Sequence, residues 1–490
     1  MLTRRELLRS GAILFAGGCI RFPARTEPSL VNDIHSQLNP TWVGEIAAVG
    51  SNSELISKLA EARFVRERVS ISGSRHAMGG QQFGDGTILF DMRRMNRVLD
   101  FDRERGLIDV EAGIEWPELI GWLVETQKGD PESWGIAQKQ TGADRLTIGG
   151  ALSANAHGRG LKMKPLVSDI ESFRLIDATG RSLECSRTHN RELFSLVAGG
   201  YGLFGVITSA TLRLVRRTKL ERVVELGSID TLIQAFDERI RDGYTYGDFQ
   251  FSIDEGSDTF LREGVFSCYR PVSDDTPIRE IQKELTDDDW RRLILLAHTN
   301  KAEAYRVYSS YYLSTTGQIY WSDTQQLSTY FGGYHRQLDQ AVGSTQPATE
   351  IITEIYVPRA RLSDFMEEAR EDFLMNQVNV FYGTVRLIEH DDESFLAWAK
   401  QPYACLIFNL HTLHTPGGIE HSAAAFRRLI DMAIRRRGSY YLTYHRYARR
   451  DQVEACYPQF RQFLQLKKKF DPGERFQSDW YRHYKAMFRV

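Results

Sequence analysis

His76 stands in Gly73-Ser74-Arg75-His76-Ala77-Met78-Gly79-Gly80, directly after the strand-like run Arg68 to Ser72. Successive backbone N–H groups in a glycine-rich loop can form a nest for phosphate oxygens, and glycine lets the backbone approach a ligand. Composition alone leaves His76 open as a structural or phosphate-binding residue, a ligand, a base or an attachment point. A second small-residue loop is expected from Thr147 to Gly158, through Gly149, Gly150, Ser153, Ala154 and His157. It suits backbone packed against a flat ring system, or a purely structural turn. Gly200-Tyr201-Gly202-Leu203-Phe204-Gly205 fits the dinucleotide fingerprint G-x-G-x-x-G. A true fingerprint follows a strand and opens a helix, whereas here a helical pattern precedes the glycines and a strand follows. It is read as a tight turn close to a ligand, not as a Rossmann site. His411 and His414 sit three apart on an apparent strand and its loop, with no evident carboxylate partner, so no metal is expected there.

Those loops need elements to hold them. Ser51 to Glu54 matches a capping box ahead of a helix. Thr87 to Met92 and Leu107 to Glu111 read as strands, and Trp116-Pro117 opens a helix with Pro in its first turn. Arg174 to Ala178 and Arg181 to Cys185 flank Thr179-Gly180 as a hairpin. A helix from Asn190 to Ala198 precedes a strand from Val206 to Val215. Residues 36–218 are thus expected to form an α+β domain, and 219–435 a second, mixed α/β domain. The second domain includes helices over Asp287 to Ala302 and Arg361 to Leu374, and strands over Glu350 to Val357 and Cys405 to His411. The aromatic residues from Tyr305 to Trp321 are taken as core packing ahead of a substrate-stacking wall. Arg435 to Arg437 is read as offsetting a helix C-terminus, with Gly438 as the stop.

Composition narrows the class of function. The 490 residues are 42% hydrophobic and 26% charged, as in a globular chain, with 14 prolines and no repeat. Lys plus Arg is 62 against 64 for Asp plus Glu, a formal charge of -2. Nucleic-acid binding, which needs a clustered basic surface, is therefore not expected. No two of Cys19, Cys185, Cys268, Cys405 and Cys456 are at metal or redox spacing, and they are taken mostly as buried small hydrophobes. At the N-terminus, Thr3-Arg4-Arg5-Glu6-Leu7-Leu8-Arg9 precedes a short apolar run, Gly11 to Gly18. Paired arginines before a brief apolar stretch point to twin-arginine export, with residues 1–35 as signal and linker. Ala16-Gly17-Gly18-Cys19 also has the look of a weak lipobox. A lipidated Cys19 and a plain periplasmic protein both remain open.

The series Gly73 to His76, Val110 to Gly113 with Trp116, Thr147 to Gly158, Asp177 to Gly180, Asn190 to Phe194 and Gly200 to Thr208 resembles a known domain. It is the FAD-binding domain of the vanillyl-alcohol oxidase and p-cresol methylhydroxylase superfamily, in which two α+β subdomains enclose FAD without a Rossmann fold. The resemblance implies FAD contacts from Gly73, Ser74, Arg75, His76, Ala77, Gly79 and Gly80, and from Gly142. It implies further contacts from Thr147, Gly149, Gly150, Ser153, Ala154, His157 and Gly158, and from Gly205, Val206 and Ile207. Gly-Ser-Arg-His looks most like alditol oxidases and is similar to cytokinin dehydrogenases and sugar-lactone oxidases. In those enzymes the matching His is bonded to the flavin, which implies a covalent link at His76. The alternative Cys linkage has no counterpart in Thr141-Gly142-Ala143-Asp144.

Farther along, Glu350 to Pro358 resembles a substrate-domain strand of alditol oxidases. Val385-Arg386-Leu387 resembles their Glu-x-Arg strand, with Thr384 in place of the Glu. Tyr441 to Arg446, Tyr457-Pro458, Phe470-Asp471-Pro472 and Arg475 to Asp479 resemble the ending of decaprenylphosphoryl-ribose oxidases. In that ending a Lys lies by the flavin, and Tyr444 takes its place beside His445. Residues 436–490 are accordingly expected to return to the flavin site. The implied activity is oxidation of a hydroxyl-bearing carbon of a sugar, polyol or related small alcohol by hydride transfer to flavin. Arg386 would stabilise the reduced flavin, and Tyr444 or His445 would be the base. The electron acceptor is open among oxygen, a quinone and a cytochrome. The alternatives are a flavin enzyme acting on a C–C or C–N bond, and a non-catalytic flavin-binding protein.

Overall fold

A computed structural model of the chain describes residues 27–328 and 331–490. Three sheets of three or more strands organise these residues, beside a two-stranded ribbon of Ser29–Val31 and Thr41–Val43. The first is parallel, with strands in the order Glu45–Ala48, Ile88–Asp91, Val69–Ser72. It packs on the helix Asn52–Phe64, whose N-cap Ser51 accepts from the Glu54 amide. The second is antiparallel, in the order Ser182–Ser186, Ile170–Ile176, Val206–Arg216, Leu107–Glu111, Val98–Asp102; Trp134–Ile136 pairs with the far end of Val206–Arg216. These two α+β layers have the expected two-subdomain construction. The third sheet begins at Lys219–Ser228 and has eight strands. Their order is Ile319–Trp321, Lys219–Ser228, Glu263–Val272, Tyr246–Phe251, Val380–Ile388, Tyr403–Leu413, Ala348–Pro358, Ser439–Tyr440.

The strand pleat gives this large sheet two different faces. Successive side chains point to opposite sides. Thus Ile351, Thr353 and Ile355 are buried on the side covered by the helices Leu362–Met375 and Pro416–Arg435, where Phe373 meets Phe408 edge-on. Glu350, Ile352 and Glu354 look the other way, into a cavity. The C-terminal segment ties the halves together. Val69 donates its amide to the Arg475 carbonyl and accepts from the Gln477 amide, and Met78 donates to the Thr443 carbonyl.

Four local expectations need correction. Thr147 to Gly158 is not all loop: Ile148–Ala154 is a helix, because the Thr147 hydroxyl caps it by accepting from the Gly150 amide. The helix expected from Asp287 to Ala302 is two helices, Asp287–Thr299 and Lys301–Leu313, broken where Asn300 turns extended and caps the second through the Glu303 amide. The helix Pro416–Arg435 ends on Arg437 at φ 60°, not on Gly438, and Arg436 is a buried ion-pair partner of Asp364 and Glu368. Gly438 is needed for another reason, since a Cβ there would lie 2.1 Å from the Tyr356 carbonyl oxygen. Finally, Ser29–Val31, inside the segment assigned to signal and linker, is a strand that pairs with Thr41–Val43. Arg4, Arg5 and Cys19 lie outside the described residues. Among the described residues no helix is long and apolar enough to cross a membrane.

Candidate active site

A cavity of about 1050 Å³ lies between the two small sheets and the open face of the large one. That is at the upper end of the roughly 300–1,000 Å³ common for ligand sites, enough for a dinucleotide and a small substrate together. Its floor is built from the two glycine-rich segments. Gly73, Ser74, Arg75, His76 and Ala77 line it, as do Gly142, Thr147, Gly149, Gly150, Ser153, Ala154, His157, Gly205 and Ile207.

The close fit of these segments explains their small residues. A Cβ on Gly73 would stand 2.1 Å from Thr147 Oγ1, and one on Gly149 would stand 2.8 Å from the Ala112 Cβ. Gly142 has φ +84° and open space beside it. Three polar groups of the same floor, Ser72 Oγ, Arg75 Nε and Thr141 Oγ1, are buried without a hydrogen-bond partner among the described residues. A buried orphan donor or acceptor costs about 1–3 kcal/mol. A phosphate-bearing, flat-ringed cofactor would satisfy such groups, so the residues present fit FAD.

Four expected contacts do not reach this cavity. Val206 points the other way on its strand and packs with Ile176 in the core of the parallel subdomain. Gly158 is packed against the Lys139 carbonyl, where a Cβ would come within 2.7 Å. Gly79 donates its amide to Gln81 Oε1, and Gly80, at φ +73°, faces Asn39 and Arg446, where a Cβ would lie 3.4 Å from Asn39 Oδ1. They shape the loop rather than the cavity wall.

His76 is held from both ring nitrogens. Nδ1 is 2.8 Å from His35 Nε2, and Nε2 is 2.9 Å from the Arg145 carbonyl oxygen. A carbonyl can only accept, so Nε2 carries the proton and Nδ1 presents its lone pair. Burial lowers the His76 pKa to about 4, against the opposing pull of that carbonyl. The ring is therefore neutral and nucleophilic at physiological pH.

The cavity roof is the open face of the large sheet. Arg386 and Tyr444 both line it, and Glu354 stands beside them. Glu354 is the hub of a buried polar cluster: its Oε1 meets His157 Nε2, accepts from the Tyr356 hydroxyl at 2.8 Å and from the Cys405 thiol at 2.8 Å. Cys405 is thus a polar partner rather than a plain hydrophobe. Burial works to raise the Glu354 pKa, but His157, Cys405 and the Arg386 charge outweigh it and hold the carboxylate ionised. Burial and the neighbouring Glu354 charge push the Tyr444 phenol well above its usual range.

His445 does not join this group. Its Nε2 bonds to Thr353 Oγ1 at 3.0 Å, and its ring stacks on Phe426 at 4.6 Å with planes 9° apart. Thr353 faces the helical side of the sheet, so His445 is on the opposite side from the cavity. Burial, helped by Arg427, lowers its pKa to about 3. Thr384 is fully buried, and its hydroxyl has no hydrogen-bond partner among the described residues.

Several cavity groups have no counterpart in the sequence expectations. Glu354 is one; its only signal was its place in the strand Ala348–Pro358. Asp248, Gln250 and Tyr382 form another polar edge, where Gln250 Nε2 donates to the Tyr382 hydroxyl at 2.7 Å. The aromatic cluster also departs from expectation: Tyr305, Tyr308, Tyr311, Tyr312, Tyr320 and Trp321 all line the cavity. Arg222 lies over the Tyr320 ring at 4.6 Å and donates to the Tyr269 hydroxyl at 2.9 Å, which fixes that wall.

Comparison with known proteins bears on the cavity floor. Residues 45–186 match the family described as "FAD binding domain". L-gulonolactone oxidase of Mus musculus is 32% identical over 36% of this chain and 36% of its own length. L-gulono-1,4-lactone dehydrogenase of Mycobacterium tuberculosis is 30% identical over 42% of this chain and 47% of its own. Cytokinin dehydrogenase 2 of Arabidopsis thaliana is 29% identical over 53% and 51%. The chain spans between about a third and a half of the length of these relatives. The matched stretch holds the first two glycine-rich segments and most of the two small sheets. Its fold, its cavity and these matches agree that the chain carries an FAD-binding domain of the vanillyl-alcohol oxidase and p-cresol methylhydroxylase superfamily.

Proposed function

We propose that the protein is an FAD-dependent oxidoreductase that oxidises a hydroxyl-bearing carbon of a sugar, polyol or sugar lactone. The observation that carries this reading is the continuity of one cavity from the FAD-type floor to the polar and aromatic roof of the large sheet. Bound FAD supplies the two-electron acceptor; the protein orients the substrate and handles its proton. Arg386 places a fixed positive charge in the roof. Tyr444 hydrogen-bonds the reacting hydroxyl and passes its proton toward Glu354 and His157, whose shared hydrogen bond already holds one proton between them. The Asp248, Gln250 and Tyr382 edge supplies donors and acceptors for further hydroxyls, and the tyrosine wall packs against the C–H face of a sugar ring. The gulonolactone relatives support this substrate class by their names. His76 carries the flavin covalently in this reading, and the electron acceptor after the flavin is oxygen, a quinone or a cytochrome.

The test is anaerobic mixing of the holoenzyme with a panel of sugars, polyols, lactones and amines while flavin absorbance is followed. Bleaching by a lactone, sugar or polyol is expected. Bleaching by amines alone would replace the reading with C–N oxidation, and no bleaching by any would remove it. The twin-arginine segment adds a proposal about location: the protein is exported, anchored by Cys19 or released. Replacing Arg4 and Arg5 by Lys should retain it in the cytoplasm, and unchanged export would refute that route.

A further inference from the structure

At the far end of the same cavity, four side chains from four elements converge. His298 comes from the helix Asp287–Thr299 and His335 from the helix Tyr334–Ala341. Glu350 and His411 are directly opposite in the antiparallel pair Ala348–Pro358 and Tyr403–Leu413. Glu350 Oε1 is 3.3 Å from His298 Nε2 and 3.2 Å from His411 Nδ1, and Glu350 Oε2 is 2.9 Å from His335 Nδ1. Strand pairing therefore supplies the carboxylate partner that His411 lacks in the sequence. His414 takes no part, since its ring bonds to Thr349 on the other side of the strand.

Hydrogen bonding alone does not account for this cluster. The His298, His335 and Glu350 side chains are 6%, 6% and 4% exposed. Yet His298 Nε2 and His335 Nδ1 make no hydrogen bond of acceptable geometry among the described residues. Their ring nitrogens approach the carboxylate without aiming an N–H at it. Two orphan imidazole nitrogens in a buried site carry a desolvation cost that a better partner would remove. A tetrahedral ion with bonds of about 2.0–2.1 Å has ligand atoms separated by about 3.3 Å. The 3.3 and 3.2 Å separations of Glu350 Oε1 from His298 Nε2 and His411 Nδ1 lie close to that edge. The atoms of His298, Glu350 and His411 also all lie within 4.8 Å of one another.

We propose that His298, His411 and Glu350 bind one first-row divalent cation of the zinc class, with His335 placed against the second carboxylate oxygen. Two imidazoles and one carboxylate suit zinc and its neighbours, whereas magnesium and calcium prefer all-oxygen ligands. The cation supplies the missing partner of His298 Nε2, and with Glu350 it leaves a net local charge of +1. Glu350 and His335 line the cavity, so the ion is reached through it, and an oxygen ligand from that side can complete its shell. The other candidate group, His157, Glu354 and Cys405, is satisfied by its own hydrogen bonds. The proposal is independent of the flavin reading, because it rests on the cluster alone.

The test uses untagged holoenzyme treated with EDTA, then dialysed against micromolar zinc chloride and gel-filtered, with zinc and FAD measured per chain. One zinc per chain is expected. Glu350→Gln and His411→Asn should each weaken zinc binding by at least about tenfold while FAD content stays at the wild-type level. If Glu350→Gln does not fold, His411→Asn, which alters the most exposed of the four, carries the comparison. No retained zinc on the wild-type protein would overturn the site, as would undiminished binding in the variants that fold.

Discussion

His157 of the FAD-binding half and Glu354 of the large sheet share a hydrogen bond buried under the cavity roof. The bond joins a residue from the end of the second glycine-rich segment to one nearly two hundred positions later. Removing Glu354 as Ala would strand His157, the Tyr356 hydroxyl and the Cys405 thiol, at about 1–3 kcal/mol for each buried polar group left unpaired. Glu354→Gln keeps the shape and loses the charge. It should lower stability less, but slow flavin reduction by roughly 10²–10⁴-fold if the carboxylate is the proton's destination. Urea unfolding and anaerobic stopped-flow reduction check the two parts separately. The pH dependence follows from the depressed pKa of Glu354. Below its unfolded value of 4.5 the unfolded chain takes up a proton that the folded chain does not. The carboxylate's stabilising contribution is therefore full above that value and is lost as pH falls through the folded pKa. Glu354→Gln should remove this component of acid sensitivity.

His76 is poised for a bond through Nδ1, because the Arg145 carbonyl fixes the proton on Nε2. Acid-precipitated wild-type protein should keep its yellow colour, and His76→Ala should release its flavin to the supernatant. His35→Ala removes the partner of Nδ1 and should lower the covalent fraction without abolishing FAD binding. Wild-type flavin found wholly in the supernatant would exclude the bond.

The fit between the two glycine-rich segments can be tested without any substrate. Gly73→Ala pushes a Cβ into Thr147 Oγ1 and should destabilise the protein by about 1–3 kcal/mol, as overpacking does. It should also lower FAD occupancy. Thr147→Ala alone removes the cap of the helix Ile148–Ala154, at about 1 kcal/mol. Because the clash needs both side chains, the double variant should be more stable than the sum of the two losses implies, and thermal unfolding of all four proteins measures that coupling. Simple additivity would mean that the segments yield rather than clash.

The floor of the site was far more legible in the sequence than its roof. Gly73 to Ala77, Gly142 and Thr147 to His157 are short, local and constrained by backbone approach, so their residue types betray their role. Even there the pleat decides what one strand offers: Ile207 lines the cavity and Val206 does not. The roof is assembled from residues paired only by the sheet. Glu350 finds His411 across a register that no local pattern encodes, and Glu354 finds His157 across domains. Tyr444 and His445 are adjacent in the chain, yet they end on opposite sides of the strand Ala348–Pro358, which spacing alone cannot reveal. The tyrosines from Tyr305 to Tyr320 have the composition of a core; only the break at Asn300 and the pairing of two helices turn them toward a cavity.

That separation of Tyr444 from His445 gives the sharpest contrast. Tyr444→Phe, in the cavity, should slow flavin reduction by roughly 10²–10⁴-fold. His445→Phe, stacked on Phe426 beyond the sheet, should leave the rate within a few-fold of wild type. Its effect belongs to stability instead. The buried ring stays neutral down to about pH 3, whereas the same group unfolded takes up its proton near 6.5. Between those values the unfolded state binds the extra proton, so wild-type stability falls as pH falls, by up to about 1.4 kcal/mol per pH unit. Above pH 6.5 both states are neutral and the effect vanishes. His445→Phe should be somewhat less stable than wild type at pH 7.5, because Thr353 loses its partner, and should gain on it steadily as the pH is lowered toward 4. Parallel stability profiles for the two proteins would show that His445 is protonated in the folded state. A collapse of flavin reduction in His445→Phe with FAD retained would return it to the active site.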